Sequence, residues 1–395
     1  MLLEILTSIL IGVLAGAFTG LVPGIHINLV GVFLVSLSTS LLKNISPLYL
    51  IVFIASMAIS HTFIDFIPSI FLGCPDTETQ LSILPGHEML KEGNGYEAVR
   101  LTSKGGLYAV FILLILAFPV AFFVSKIYNG LHSIMLWILL GVSFLLVFQE
   151  KKKFTALFVF VISGILGLCV LNSNIKEPLL PLFTGLFGSS LLLTSIKDKI
   201  KIPEQNITEP NCKMFKPILG SVIASPICGF LPGLGSGQAA VLANAIFKTD
   251  KKGFLVLVGA TNVLVMGLSF VSLYAISKTR TGAAAAIKEI IRILSWKALI
   301  LLLIAILISG IISFFSAKKL TLFFSKKVHK VDYSRLSIII LIFLAVIVII
   351  FSGFSGFLVL VVSTLMGIYC NGLPVKKTHM MGCLLIPTIL YYLMN

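Results

Sequence analysis

The sequence predicts an all-α polytopic membrane protein made of two inverted-topology repeats. Each repeat reads as a Pro-Gly-broken helical hairpin followed by about five spans. Three observations carry this reading. First, 58% of the 395 residues are hydrophobic and 11% are charged, with a mean hydropathy of +1.09, against about 25% charged in an average soluble domain. Several uncharged apolar stretches exceed the roughly 18 residues that span a bilayer core, and they lack the alternation of a barrel strand. Second, one short stretch occurs twice, as Gly20-Leu21-Val22-Pro23-Gly24-Ile25-His26-Ile27-Asn28 and as Gly229-Phe230-Leu231-Pro232-Gly233-Leu234-Gly235-Ser236-Gly237-Gln238. Pro232 stands 209 residues after Pro23, about half the chain. Third, the basic loops change sides between the two halves.

The first repeat, 1–196, opens with the hairpin 2–42, broken at Pro23-Gly24. A long apolar run from Pro47 to Gly73 follows and ends in Cys74-Pro75-Asp76-Thr77-Glu78-Thr79. Spans are expected at 105–125, 129–148, 154–172 and 177–196. The polar connection 197–216 is too short for a soluble domain and reads as a cytoplasmic linker. The second repeat, 217–395, retraces this plan: a broken hairpin at 217–247, a long run at 253–276 ending in Ser277-Lys278-Thr279-Arg280-Thr281-Gly282, and spans at 298–316, 334–352, 353–370 and 378–394.

Charge orients the halves. The connection 126–131 holds one Lys and its counterpart 317–335 holds six basic residues. The connection 149–153 holds three Lys and its counterpart 352–354 holds none. Cytoplasmic loops carry the excess of Lys and Arg, so the second half is inverted. On that topology 22 of the 30 basic residues face the cytoplasm. Five of the other eight, Lys278, Arg280, Lys288, Arg292 and Lys297, cluster on the opposite side. The net charge of +15 lies in short loops and is not a nucleic-acid footprint. The six Cys are scattered without a Cys-x-x-Cys pair, so neither a metal site nor a disulfide framework is expected. The first apolar run carries Glu4 and no basic leader, unlike a cleaved signal peptide. No Walker motif, nucleophile triad or metal-ligand spacing supports an ATP-driven or enzymatic reading.

The two breaks are the expected substrate site. Broken backbone inside lipid is tolerated only where it is buried in protein or lines a wet cavity. Matched broken segments in two halves point to a transporter binding site. A helix that starts inside the membrane presents unpaired N–H groups and the positive end of its dipole, an anion site. Pro23, Gly24, His26 and Asn28 at the first break, and Pro232, Gly233, Gly235, Ser236 and Gln238 at the second, are the candidate ligands of a carboxylate. The bland alternative is close helix packing by Gly, with Asn28 and Ser236 as caps and His26 as a packing residue. Lys278 and Arg280 stand where the first repeat has Asp76 and Glu78. They read as cations for a carboxylate opposite carboxylates for a coupling Na⁺ or H⁺, or else as salt bridges at a solvated span end. Asp65, inside the first long run, is the other coupling candidate. A charge there costs a few kcal/mol unless paired or wetted, and His61 one turn earlier is the structural partner it would otherwise have.

With both breaks in view, the chain resembles the large permease subunit of tripartite tricarboxylate transporters, the TctA family, in a compact branch of archaeal type. The family pattern has a Gly-x-x-Pro-Gly break in each half, here Gly20–Gly24 and Gly229–Gly233. It also has a Pro-Gly-rich loop leading into a stretch that here reads Gly86-His87-Glu88-Met89-Leu90-Lys91-Glu92-Gly93-Asn94-Gly95-Tyr96-Glu97-Ala98-Val99. This chain departs in having Asp76 where a glycine follows Pro75, and Ser277-Lys278 in place of the second Pro-Gly. The resemblance implies a multi-pass protein of the plasma membrane that takes up carboxylates with a coupling cation. It also implies two partners, a small membrane subunit and an extracytoplasmic binding protein. Two other readings stay open: a carrier of polyprenyl-phosphate lipid, since a phosphate suits the same helix starts, and a membrane scaffold that transports nothing.

Overall fold

The computed structural model describes residues 2–22, 45–74, 79–198, 201–230 and 235–394. Among them every regular element is a helix, and eight helices are long and apolar enough to cross a membrane. Helix α1 (Leu2–Leu21) leads to the first break. Helix α2 (Pro47–Ile64) starts with Pro at its first position, where no N–H is needed. It stops at Asp65 and resumes as α3 (Phe66–Leu72). Pro68 has no N–H for the Ile64 carbonyl, so the expected single run 47–73 breaks in the middle. The stretch after it, expected as a loop, is helix α4 (Gln80–Lys91).

Helix α5 (Gly95–Phe148) is 54 residues long. It takes in both spans expected at 105–125 and 129–148, and its first turns, expected as a solvated loop, are buried at Arg100, Thr102 and Ser103. Next come α6 (Lys153–Leu171), α7 (Leu179–Phe183), a π-helical segment Thr184–Ser189 and α8 (Ser190–Lys197). The second half has α9 (Phe215–Phe230), α10 (Ser236–Phe247), α11 (Lys251–Ile276) and the short α12 (Gly282–Ile290). It closes with α13 (Trp296–Val328), α14 (Tyr333–Asn371), a 3₁₀ turn Lys377–Met381 and α15 (Gly382–Met394). Helix α14 joins the spans expected at 334–352 and 353–370. It bends at Gly353, whose φ of +69° is one that glycine adopts without steric cost.

The chain forms two compact units, each drawing on both halves of the sequence. The first comprises residues 1–68, 99–129 and 209–322. In it α1 packs on α2 through Gly12, Gly16 and Gly20, one per turn. A Cβ at Gly12 would stand 2.6 Å from the Phe53 carbonyl oxygen, and one at Gly16 would collide with the Met57 carbonyl. Lipid supplies no hydrophobic drive between helices, so small residues that permit close approach set the seam. On the second-half side, α9 packs on α11, with Gly229 against Leu268. Helices α5 and α11 meet at Gly105 against the Val256 carbonyl and at Gly259 against the Thr102 carbonyl.

The second unit comprises residues 69–98, 130–208 and 323–395. Its close contacts are reciprocal. Gly167 of α6 abuts the Cys383 carbonyl, and Gly367 of α14 abuts the Leu186 carbonyl. Gly382 meets the Phe160 carbonyl, and Gly185 meets the Leu360 carbonyl. The first-half span 154–172 thus pairs with the last span of the second half, and the last span of the first half pairs with 353–370.

Candidate functional site

The site is built where α9 stops and α10 starts. Helix α9 ends at Phe230, and α10 opens after Gly235, which is extended (φ −131°, ψ −168°). The Gln238 Oε1 accepts a hydrogen bond from the Gly235 N–H at 3.0 Å, tying the N-cap backbone to the first turn of α10. Ser236 and Gln238 are both buried. Arg280, from the connection between α11 and α12, donates through Nη2 to the Phe230 carbonyl, the last one of α9. A partly buried guanidinium is therefore fixed on the carbonyl end of α9. The carbonyl end is the negative end of its helix and the N-terminus the positive one. Arg280 thereby offsets the negative end of α9.

The connection that delivers Arg280 is itself pinned. The Thr281 side chain accepts from the Ala284 N–H at 3.2 Å, capping α12, and its hydroxyl lies 2.8 Å from that of Ser269 on α11. The second unit contains the same local device: the Ser69 hydroxyl lies 2.6 Å from that of Thr79, the N-cap of α4. Lys278 is exposed. Lys288 donates to the Ser277 carbonyl at 2.9 Å, at the left-handed turn that ends α11.

A second polar group lies in the interior of the first unit. Asp65 is 3% exposed and its Oδ2 accepts from Asn262 Nδ2 of α11 at 3.4 Å. One turn earlier on α2, His61 Nδ1 lies 3.0 Å from the Thr19 hydroxyl of α1. Gly20 packs directly on this corner, a Cβ there being 3.2 Å from the Asp65 nitrogen. Asp65 thus marks the bend in α2–α3 and touches the end of α1 that leads into the first break.

Of the residues singled out by sequence, Gly235, Ser236 and Gln238 form the start of α10, Arg280 lies on the last carbonyl of α9, and Asp65 lies against the end of α1. Pro23, Gly24, His26, Asn28, Asp76, Glu78, Pro232 and Gly233 lie outside the described residues. Sequence reasoning missed Thr19, Asn262 and Ser269. Asn262 carried a usable signal, an amide in the middle of a 26-residue apolar helix, where polar groups are expensive. Among the described residues no three His, Cys, Asp or Glu side chains gather as a metal site.

Comparison with known proteins now decides the family. The family model described as the tripartite tricarboxylate transporter TctA family matches residues 6–382. The chain belongs to the TctA family. A protein of Methanocaldococcus jannaschii described as uncharacterized is 32% identical over 400 residues, covering 98% of this chain and 99% of the relative. No solved structure matches the chain. As a TctA-family protein with eight helices fit to cross a bilayer, it is a multi-pass membrane protein of the plasma membrane. It is a permease component of a transporter and not an enzyme.

Proposed function

We propose that the chain is a secondary transporter for a small di- or tricarboxylate, which is held between the two Pro-Gly breaks and coupled to Na⁺ or H⁺. The observation that carries this is Arg280 on the Phe230 carbonyl. It puts a forked cation at a broken helix whose continuation starts with a capped, buried first turn. Carboxylates suit such a site because the guanidinium fork binds them bidentately and helix-start N–H groups add further donors. Asp65 serves the coupling cation. Its Oδ2 accepts from the Asn262 amide, and a carboxylate inside an apolar helix is a place where a proton or Na⁺ relieves an expensive charge.

The halves 1–196 and 217–395 are read as inverted repeats joined by the cytoplasmic linker 197–216. Reciprocal contacts such as Gly167 with Cys383 and Gly367 with Leu186 are what a two-fold relation between halves requires. The opposite basic loops favour an axis in the membrane plane. A small membrane subunit and an extracytoplasmic binding protein are the expected partners, in keeping with the word tripartite in the family description.

A thermal-stability screen of the purified protein tests the substrate class. Citrate or a dicarboxylate should raise the melting midpoint, more so with Na⁺ or at lower pH. Stabilisation by lipid phosphates alone would replace the carboxylate reading with the lipid carrier. No response to either class would favour the scaffold.

A further inference from the structure

Three basic side chains of the first unit converge on one carboxylate, away from the breaks. Arg100 and Lys104 stand one turn apart on α5, Lys318 lies on α13, and Glu209 belongs to the 197–216 connection. The Glu209 carboxylate is 2.7 Å from Lys318 Nζ, 3.4 Å from Arg100 Nη2 and 3.7 Å from Lys104 Nζ. Lys104 also donates to the Pro210 carbonyl at 3.0 Å. Three cations share this one carboxylate.

Arg100 is the informative member. It is 2% exposed, its guanidinium carbon lies 4.5 Å over the Phe314 ring, and its Nε and Nη1 are buried without a hydrogen-bond acceptor. Buried donors of a charged group left unmatched are costly, and Glu209 meets Arg100 only at its loosest hydrogen-bonding distance. Glu209 itself is about half exposed, so water competes for it and it is free to swing out. Burial pushes its carboxyl upward, but the Lys318 bond and the Arg100 charge outweigh this and keep it below the usual range. It is therefore an ionised group resting on a basic pocket. The same stretch of chain continues into an open groove of about 740 Å³ edged by Lys213, Lys216, Lys248 and Lys252. Asp250 also lines the groove, and the excess of Lys over Asp there draws anions toward this face.

We propose that Arg100, Lys104 and Lys318 form a phosphate-binding site for which the Glu209 carboxylate is a tethered competitor. A phosphate anion suits this cluster because its charge meets the basic side chains and its oxygens match the Arg fork. The phosphate comes from a lipid headgroup or from free inorganic phosphate, and the experiment has an arm for each. This site is independent of the substrate site at the breaks.

The test uses the full chain in phosphatidylcholine nanodiscs, with and without phosphatidylglycerol, and titrated with inorganic phosphate at constant ionic strength. Melting midpoints and native mass spectrometry give apparent affinities. Glu209→Gln removes the competitor and should tighten phosphate binding about tenfold, or ~1.4 kcal/mol. Lys318→Gln, at a half-exposed position that tolerates change, should weaken it about as much. Arg100→Gln should abolish it if the variant folds. Binding that appears with phosphatidylglycerol alone assigns a lipid headgroup, and saturation by inorganic phosphate assigns the free ion. The proposal is overturned if neither probe binds to wild type or to Glu209→Gln. It is equally overturned if Glu209→Gln and Lys318→Gln both bind as wild type does.

Discussion

Arg280 is the side chain on which the carboxylate reading turns, and its neighbours explain why sequence alone left it ambiguous. Its position after an apolar run was visible, as was its conflict with the positive-inside pattern. Its target was not, because Phe230 lies 50 residues away and no periodicity reports such a pairing. If Arg280 serves substrate, Arg280→Gln should weaken affinity by about 1.5–3 kcal/mol, the range for hydrogen bonds to charged groups. Arg292 is exposed, and Arg292→Gln should leave affinity within error. Arg280→Lys should restore only part, since the fork is lost. Binding isotherms of the three variants, each checked for an unchanged melting midpoint, decide this; equal behaviour of the two Gln variants would reduce the cluster to a charged rim. Asp65 makes a parallel case. Asp65→Asn keeps the shape and the Asn262 contact but cannot ionise. It should still bind substrate while losing the Na⁺ or pH dependence of that binding.

At the scale of elements, long apolar runs were legible because lipid forces every backbone group into a helix. Breaks within them were harder to read. Pro68 held the signal for the bend at Asp65, and Gly353 the signal for the bend in α14. Helices α4 and α12 went unread, since their mixed polar sequences look like loops and only the Thr79 and Thr281 caps announce them. The glycine seam between α1 and α2 makes an element-level prediction. Gly16→Leu drives a side chain into the Met57 backbone and should cost at least the 1–3 kcal/mol typical of overpacking. At Gly141 a Cβ meets nothing within 4 Å, so Gly141→Ala should be neutral or stabilising. Melting midpoints compare the two.

A pH-sensitive latch belongs to the same scale. His379 Nε2 lies 3.3 Å from Glu150 Oε2, which also accepts from the Lys376 N–H at 3.4 Å. Burial alone would raise the Glu150 pKa, but hydrogen bonds from His379 and two backbone N–H groups bring it below the usual value. Glu150 therefore holds a proton less readily when folded. Its contribution is complete above the ordinary value of 4.5 and is lost as the pH falls through the depressed one. The melting midpoint should drop on acidification, and His379→Gln should flatten that slope. An unchanged slope would remove the latch.

For the whole molecule, the order of elements in the two halves was readable because apolar length and loop charge are local properties. The grouping of those elements into two compact units, each drawn from both halves, was not, since it rests on contacts some two hundred residues apart in sequence. The topology makes its own prediction: Lys151–Lys153 and the 318–335 connection face the cytoplasm. Single cysteines placed in both should resist a membrane-impermeant reagent in intact cells, and labelling of both would invert the assignment.

The central claim is that a carboxylate sits where helices break within the first unit. A cryo-electron-microscopy map of the protein with its best-stabilising carboxylate tests this directly. The account predicts ligand density against the first turn of α10, within hydrogen-bonding reach of Arg280. Density elsewhere, with the α10 start and Arg280 both clear of it, would contradict the account.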